Sequence, residues 1–244
     1  MRIVIILVII FFSSDAYSQI GVSAKYLNSN TRGWNDFIEN SSEGETFMQN
    51  GMEFGLNYWF RLKNQRIEFL PEVIYSKRSQ EEFLPQLDIN ESARMTTIGI
   101  NTNVQIYPLD FYNDCNCPTF SKDGNVITKG FYWLISPGIA QVSKELMYLN
   151  SDIGGGEIET LESSSRIITH IGIGAGLDIG IADLFTISPF AVYDLSFGHQ
   201  WNELAEPLAS TGTNELDTNI SSLNFGLRLM FRPDYVKQNR GFRR

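Results

Sequence analysis

His170 is one of two histidines in the chain, and it stands in a run of alternating apolar and polar residues. A second alternating run, holding Asp194 and Ser196, follows after a short connection. If the two runs pair as antiparallel strands through that connection, His170 falls opposite roughly Phe197 and comes near Asp194 and Ser196 on one face. Serine, histidine and aspartate at one level are the parts of a hydrolase: a nucleophile, its general base and an acid that orients the base. Against that reading, a histidine among many serines meets one easily by chance, and no oxyanion hole is visible.

The two cysteines form a Cys115-Asn116-Cys117-Pro118 turn. A disulfide closing over one intervening residue is strained and therefore reducible, so the pair reads as a structural turn or local disulfide. A redox role or an intermolecular bridge is the lesser alternative. No histidine, aspartate or second cysteine pair stands at zinc-ligand spacing, and nothing in the chain implies a metal or any other cofactor.

The elements that would position these residues are strands. Period-two alternation bounded by turn residues gives eight segments, at residues 20–26, 51–62, 67–76, 95–107, 130–142, 166–179, 185–197 and 223–231. In the last, Leu223, Phe225, Leu227, Leu229 and Phe231 share one face, and Asn224, Gly226, Arg228 and Met230 the other. The fifth segment leaves its faces open, because Phe131, Trp133, Ile135 and Ile139 and the alternate set Tyr132, Leu134 and Ala140 are all apolar. Long polar connections at 27–50, 77–93, 143–165 and 199–220 alternate with tight turns at 63–65 and 182–184. The connection 108–129, which carries both cysteines, is long where a short turn is expected.

Long connections at one end and short turns at the other, with an oily outer stripe, predict an all-β fold: an eight-stranded antiparallel up-and-down transmembrane β-barrel with long extracellular loops. Aromatic residues toward strand ends (Tyr26, Tyr58, Phe60, Tyr75, Tyr107, Tyr193, Phe197 and Phe231) suit its interfacial girdles. The competing fold is a soluble periplasmic barrel of the lipocalin kind, with the same period but an apolar interior. Here the inner face would hold Glu53, Arg61, Glu68, Glu72, Arg166, Asp178, Asp194 and Arg228. Such a lumen suits no apolar ligand, and its charges must pair across strands or meet trapped water. Eight strands also leave a lumen filled by side chains, which disfavours a pore.

Residues 1–18 read as a secretory signal peptide: Arg2, an apolar run over 3–12, and Ala16 and Ser18 as the small residues before the cut. The barrel domain then covers 19–232, and 233–244 is a basic periplasmic tail. A net charge of −9 argues against nucleic acid as a partner. Trp34, Phe37 and Phe47 in the first long connection and Trp201 in the fourth are candidate loop contacts for a partner.

The Ala16-Tyr17-Ser18 cleavage site followed by Gln19 and the Gly-aliphatic repeats (Phe54-Gly55-Leu56, Ile171-Gly172-Ile173-Gly174-Ala175-Gly176, Phe225-Gly226-Leu227) accompany a closing strand that ends on Phe231. In these features the chain resembles the small outer-membrane β-barrels abundant in Bacteroidetes-type Gram-negative bacteria. The resemblance implies residence in the outer membrane among its lipids and insertion by the barrel-assembly machinery, and the chance character of the Ser-His-Asp grouping makes a non-enzymatic barrel the expectation. It also implies a structural or interaction role, including that of an accessory subunit in a secretion, barrel-assembly or nutrient-import complex. Lipid-modifying enzymes exist on small barrels of this kind, so a hydrolase using His170, Asp194 and Ser196 is the alternative.

Overall fold

The structure is a computed structural model that describes residues 19–31, 34, 48–62, 65–81, 91–111, 126–150, 157–182, 185–200 and 217–231. Its strands are β1 (Gln19–Asn30), β2 (Asn50–Arg61), β3 (Ile67–Glu81), β4 (Glu91–Ile106), β5 (Phe131–Asn150), β6 (Glu157–Leu177), β7 (Ile179–Ala182), β8 (Phe185–Gln200) and β9 (Asp217–Phe231). A 3-10 turn (Pro108–Asp110) and a short helix α1 (Val126–Gly130) lie between β4 and β5. No described helix is long and apolar enough to cross a membrane.

Each strand pairs antiparallel with its sequence neighbour, β1 pairs with β9, and β6 pairs with β8. β7 continues β6 beyond a break at Asp178, so the nine strands form eight staves of a closed barrel. Closure leaves no open edge, which is the condition for a sheet to lie in hydrocarbon with its backbone polar groups satisfied.

Period-two alternation sorts the side chains in the sense opposite to that of a water-soluble protein. Leu56 and Ile98 on the outside keep 58% of their surface exposed, whereas Glu68 and Arg228 inside keep none. Large apolar exposure on every stave with charge buried within is the distribution of a barrel solvated by lipid. It is the reverse of the soluble ligand-binding cup. Aromatic pairs at the short-turn end, Phe60 stacked on Phe69 at 5.3 Å and Phe185 against Phe231 at 5.4 Å, form part of a girdle.

Several strands run further than their oily stripes. The β5–β6 ladder continues to Asn150 opposite Glu157, through residues 143–150 and 157–165, which the sequence reads as part of a loop. About 9–11 residues suffice to cross the hydrocarbon, and β5 and β6 have 20 and 21. Beyond the lipid the outer face meets water and turns polar while Lys144 and Leu146 stay buried inside, so the ladder persists though its alternation of polarity is lost.

The structure also assigns the faces of β5. Tyr132, Leu134, Ala140 and Val142 are buried inside, and Trp133, Ile135 and Ile139 are exposed. The inner set is apolar because Tyr132 and Leu134 pack with Tyr107, Phe190 and Val192.

Candidate functional site in the barrel lumen

The middle of the lumen is built around Glu72. Lys25 lies opposite Glu53 in the β1–β2 register and faces inward with it. Its Nζ is 2.6 Å from Glu53 Oε1 and 3.2 Å from Glu72 Oε2. Glu72 also accepts from Ser23 Oγ at 2.5 Å, Asn103 Nδ2 at 2.9 Å and Asn57 Nδ2 at 3.4 Å. The Ser23 bond runs from β1 to β3 across the intervening β2, and it crosses at Gly55, where a Cβ would collide with both oxygens. Buried charges survive in such a place only when paired and hydrogen-bonded, as these are. Arg228 on β9 is fully buried and lies 5.0 Å from the Phe190 ring centroid.

Toward the short-turn end a second layer forms around Tyr107. Its hydroxyl bridges Glu68 Oε2 at 2.9 Å and Asp178 Oδ2 at 2.8 Å. Trp59 Nε1 donates to the same Glu68 oxygen at 2.5 Å, and Ser188 donates to Asp178 Oδ1. Arg66 stacks 4.1 Å over the Tyr107 ring and ion-pairs with Asp110. The Asp178 amide donates to Gly130 O at 2.9 Å, joining the break between β6 and β7 to α1.

Toward the long-connection end, His170 lies opposite Ser196, and Phe197 pairs instead with Thr169. The one-residue difference from the sequence reading arises at the turn, where the β7–β8 register shifts between Gly180 and Ala182. His170 Nδ1 is 3.0 Å from Asp194 Oδ2, and Ser196 Oγ donates to Asp194 Oδ1 at 3.1 Å. The aspartate therefore stands between the other two residues. His170 Nε2, the nitrogen a base would turn toward a nucleophilic hydroxyl, lies over Gly138 with no hydrogen-bond partner among the described residues.

These three residues line a cavity of about 60 Å³ together with Lys25, Glu53, Arg78 and His199. That is room for a few waters, far less than an acyl chain or a sugar requires. No group of three or more histidine, cysteine, aspartate or glutamate side chains that could hold a metal occurs among the described residues.

Of the charges expected in the lumen, Glu53, Glu68, Glu72, Asp178, Asp194 and Arg228 lie inside. Arg166 occupies an inward register opposite Val142 but is exposed, because it sits near the long-connection end where the lumen opens. The Arg61 side chain lies outside the described residues, as do Cys115, Cys117, Phe37, Phe47, Trp201, the segment 1–18 and the tail 233–244.

One expectation is corrected. Tyr107 is not a girdle residue but a fully buried lumen residue. It follows Asn101, Asn103 and Gln105 at the same parity, which was the signal to place it inside. Trp34, a candidate loop contact, is fully buried. Lys25, Arg66, Arg78 and Lys144 are further internal charges that the sequence did not single out. Lys25 stands on the inward parity of the first segment, and that parity was the available clue.

The fold and its lumen define a class, the small eight-stranded β-barrel of the outer-membrane type. No family model matches the chain, and no curated protein matches it. Among solved structures, it is similar to Ail, the attachment invasion locus protein of Yersinia pestis, solved with the heparin analogue sucrose octasulfate. That likeness has a TM-score of 0.41 at 12% identity over 88% of this chain and 97% of that one. A major outer membrane protein from Thermus thermophilus gives 0.46 at 8% identity, over 88% and 99%. The outer membrane enzyme PagL gives 0.35 at 14% identity, over 85% and 97%. These are likenesses of overall shape, and they transfer neither an activity nor a ligand.

Proposed function

We propose that this protein is a non-enzymatic barrel of the Gram-negative outer membrane, of the Bacteroidetes kind, delivered by a cleavable leader over residues 1–18. In this reading it holds its long connections outside the cell and acts as a structural or interaction protein, including as an accessory subunit of a secretion, barrel-assembly or nutrient-import complex. Its partners are outer-membrane lipids, the assembly machinery during insertion, and a protein of the same membrane.

The observation that carries the reading is the lumen. Lys25, Glu53 and Glu72 are tied to one another and to Asn103 across its middle, and the cavity beside them, of about 60 Å³, has room for a few waters rather than a substrate. The work is thereby left to the loops and rims. Crosslinking in native membranes followed by purification tests it. A stoichiometric membrane-protein partner is the expected result for an accessory subunit, and its absence leaves the stand-alone interaction barrel. Ion conductance or lipid turnover by the purified protein would overturn both.

The arrangement of His170, Asp194 and Ser196 favours a second reading, a lipid-modifying hydrolase, because the three do meet at one level. It requires the Ser196 hydroxyl to leave Asp194 for His170 Nε2 and the lumen to admit an acyl chain. Loss of a lipid modification in a His170→Ala strain is the result that would establish it.

A further inference from the structure

Trp34 stands just beyond the end of β1, and its amide donates to Thr31 O at 3.0 Å. Its indole is fully buried. The Lys144 ammonium, on β5, lies 4.9 Å over its ring, and His199, on β8, meets it edge-on with centroids 6.0 Å apart. Around the barrel the staves run β1, β2, β3, β4, β5, β6, β8, β9, so β5 is four steps from β1 in either direction. A residue anchored to β1 that touches β5 has crossed the full width of the mouth.

What holds it there is specific. Lys144 is buried and faces inward, and its Nζ also donates to Gln200 O at 2.5 Å, which fixes the ammonium between the indole and the end of β8. Beside it, β8 bulges between Ser196 and His199, with Gly198 at φ +84°. That left-handed residue lets the strand skip a register position and turns the His199 ring into the mouth. His199 also lines the 60 Å³ cavity that holds Lys25, Glu53, His170 and Asp194. The indole is thus seated at the outer end of the polar chamber.

We propose that Trp34 is a stopper, held by Lys144 and His199, that closes the long-connection mouth of the barrel over a water-sized polar chamber. The inference is independent of what the loops bind. With the indole seated, the chamber exchanges with the outside only as the stopper lifts. With the indole removed, the chamber is open to small polar solutes.

Thiol accessibility in the full-length protein tests this. Ser222 lines the cavity and is buried. A Ser222→Cys variant, with Cys115 and Cys117 replaced by serine, carries one thiol inside the chamber. Silver ion, small enough to enter a water-sized chamber, is added to folded protein in micelles, the loss of free thiol is followed with time, and folding is checked by heat-modifiable gel migration. Trp34→Ala should speed thiol loss about tenfold or more, the consequence of removing an opening step of roughly 1.4 kcal/mol. Trp34→Phe, which keeps a ring for the ammonium, should remain slow. Lys144→Gln, which leaves the indole but removes its cation, should fall between, and it serves as the test if Trp34→Ala does not fold. Thiol loss at the parental rate in Lys144→Gln and in any folded Trp34→Ala protein would overturn the proposal.

Discussion

Lys25 and Glu72 form an ion pair at 3.2 Å although a whole strand, β2, lies between the strands that carry them. The pair therefore joins three staves, because Lys25 holds Glu53 on β2 at the same time. In a soluble barrel the core is oily and the staves are held together by burying it. Here the oily faces point outward, so cohesion across the lumen falls to bonds of this kind.

Removing the cation should then be costly. Lys25→Met strands two buried carboxylates and is expected to destabilise the folded barrel by about 3–5 kcal/mol. The double variant Lys25→Met/Glu72→Gln should recover part of that loss. Urea unfolding in micelles measures both, and a loss below about 1 kcal/mol for the single variant would show that the network is not cohesive.

Tyr107 makes a separate test at the other end of the lumen. Tyr107→Phe removes only the hydroxyl that bridges Glu68 and Asp178. Two buried acids then lose their shared donor, for an expected cost of about 1–3 kcal/mol. Ordinary girdle behaviour, in which Phe substitutes for Tyr without a change in unfolding midpoint, would contradict its placement inside.

How much of this was readable beforehand depended on which rule a residue obeyed. The faces of β2, β3, β6 and β9 followed from parity because each alternates oily with polar over most of its length. β5 did not, since its inner residues Tyr132 and Leu134 pack in an apolar layer and erase the contrast. The His170 register was one residue out because a bulge in the turn displaces the ladder, and a shift of one residue changes every opposite partner. The burial of Trp34 is hidden from the sequence for a different reason. An aromatic residue in a polar connection reads as exposed unless the opposite wall is known, and Lys144 and His199 are far from it in sequence.

Lipid chemistry supplies a third prediction. A His170→Ala strain should retain unaltered lipid A by mass spectrometry, because the histidine is engaged by Asp194 and its second nitrogen faces no hydroxyl. A missing or new acyl chain in that strain would move Ser196 from a structural residue to a nucleophile.

Depth along the closing strand gives a fourth. Leu227, midway along the outward row of β9, keeps half its surface exposed. Leu227→Arg should cost about 2–4 kcal/mol, whereas the same change at Leu223, nearer the long-connection end, should cost roughly 0–1 kcal/mol. Equal costs would mean that no hydrocarbon gradient runs along this face.

The most direct test is oxygen accessibility by spin labelling along residues 223–231 in lipid bilayers. One label at a time is placed on the strand, and collision rates with dissolved oxygen, which concentrates in hydrocarbon, are recorded. Residues 223, 225, 227, 229 and 231 should show high oxygen collision, with residues 224, 226, 228 and 230 low, in a strict period of two. A flat profile, or the opposite parity, would contradict a barrel that turns its oily face to lipid and its charges inward.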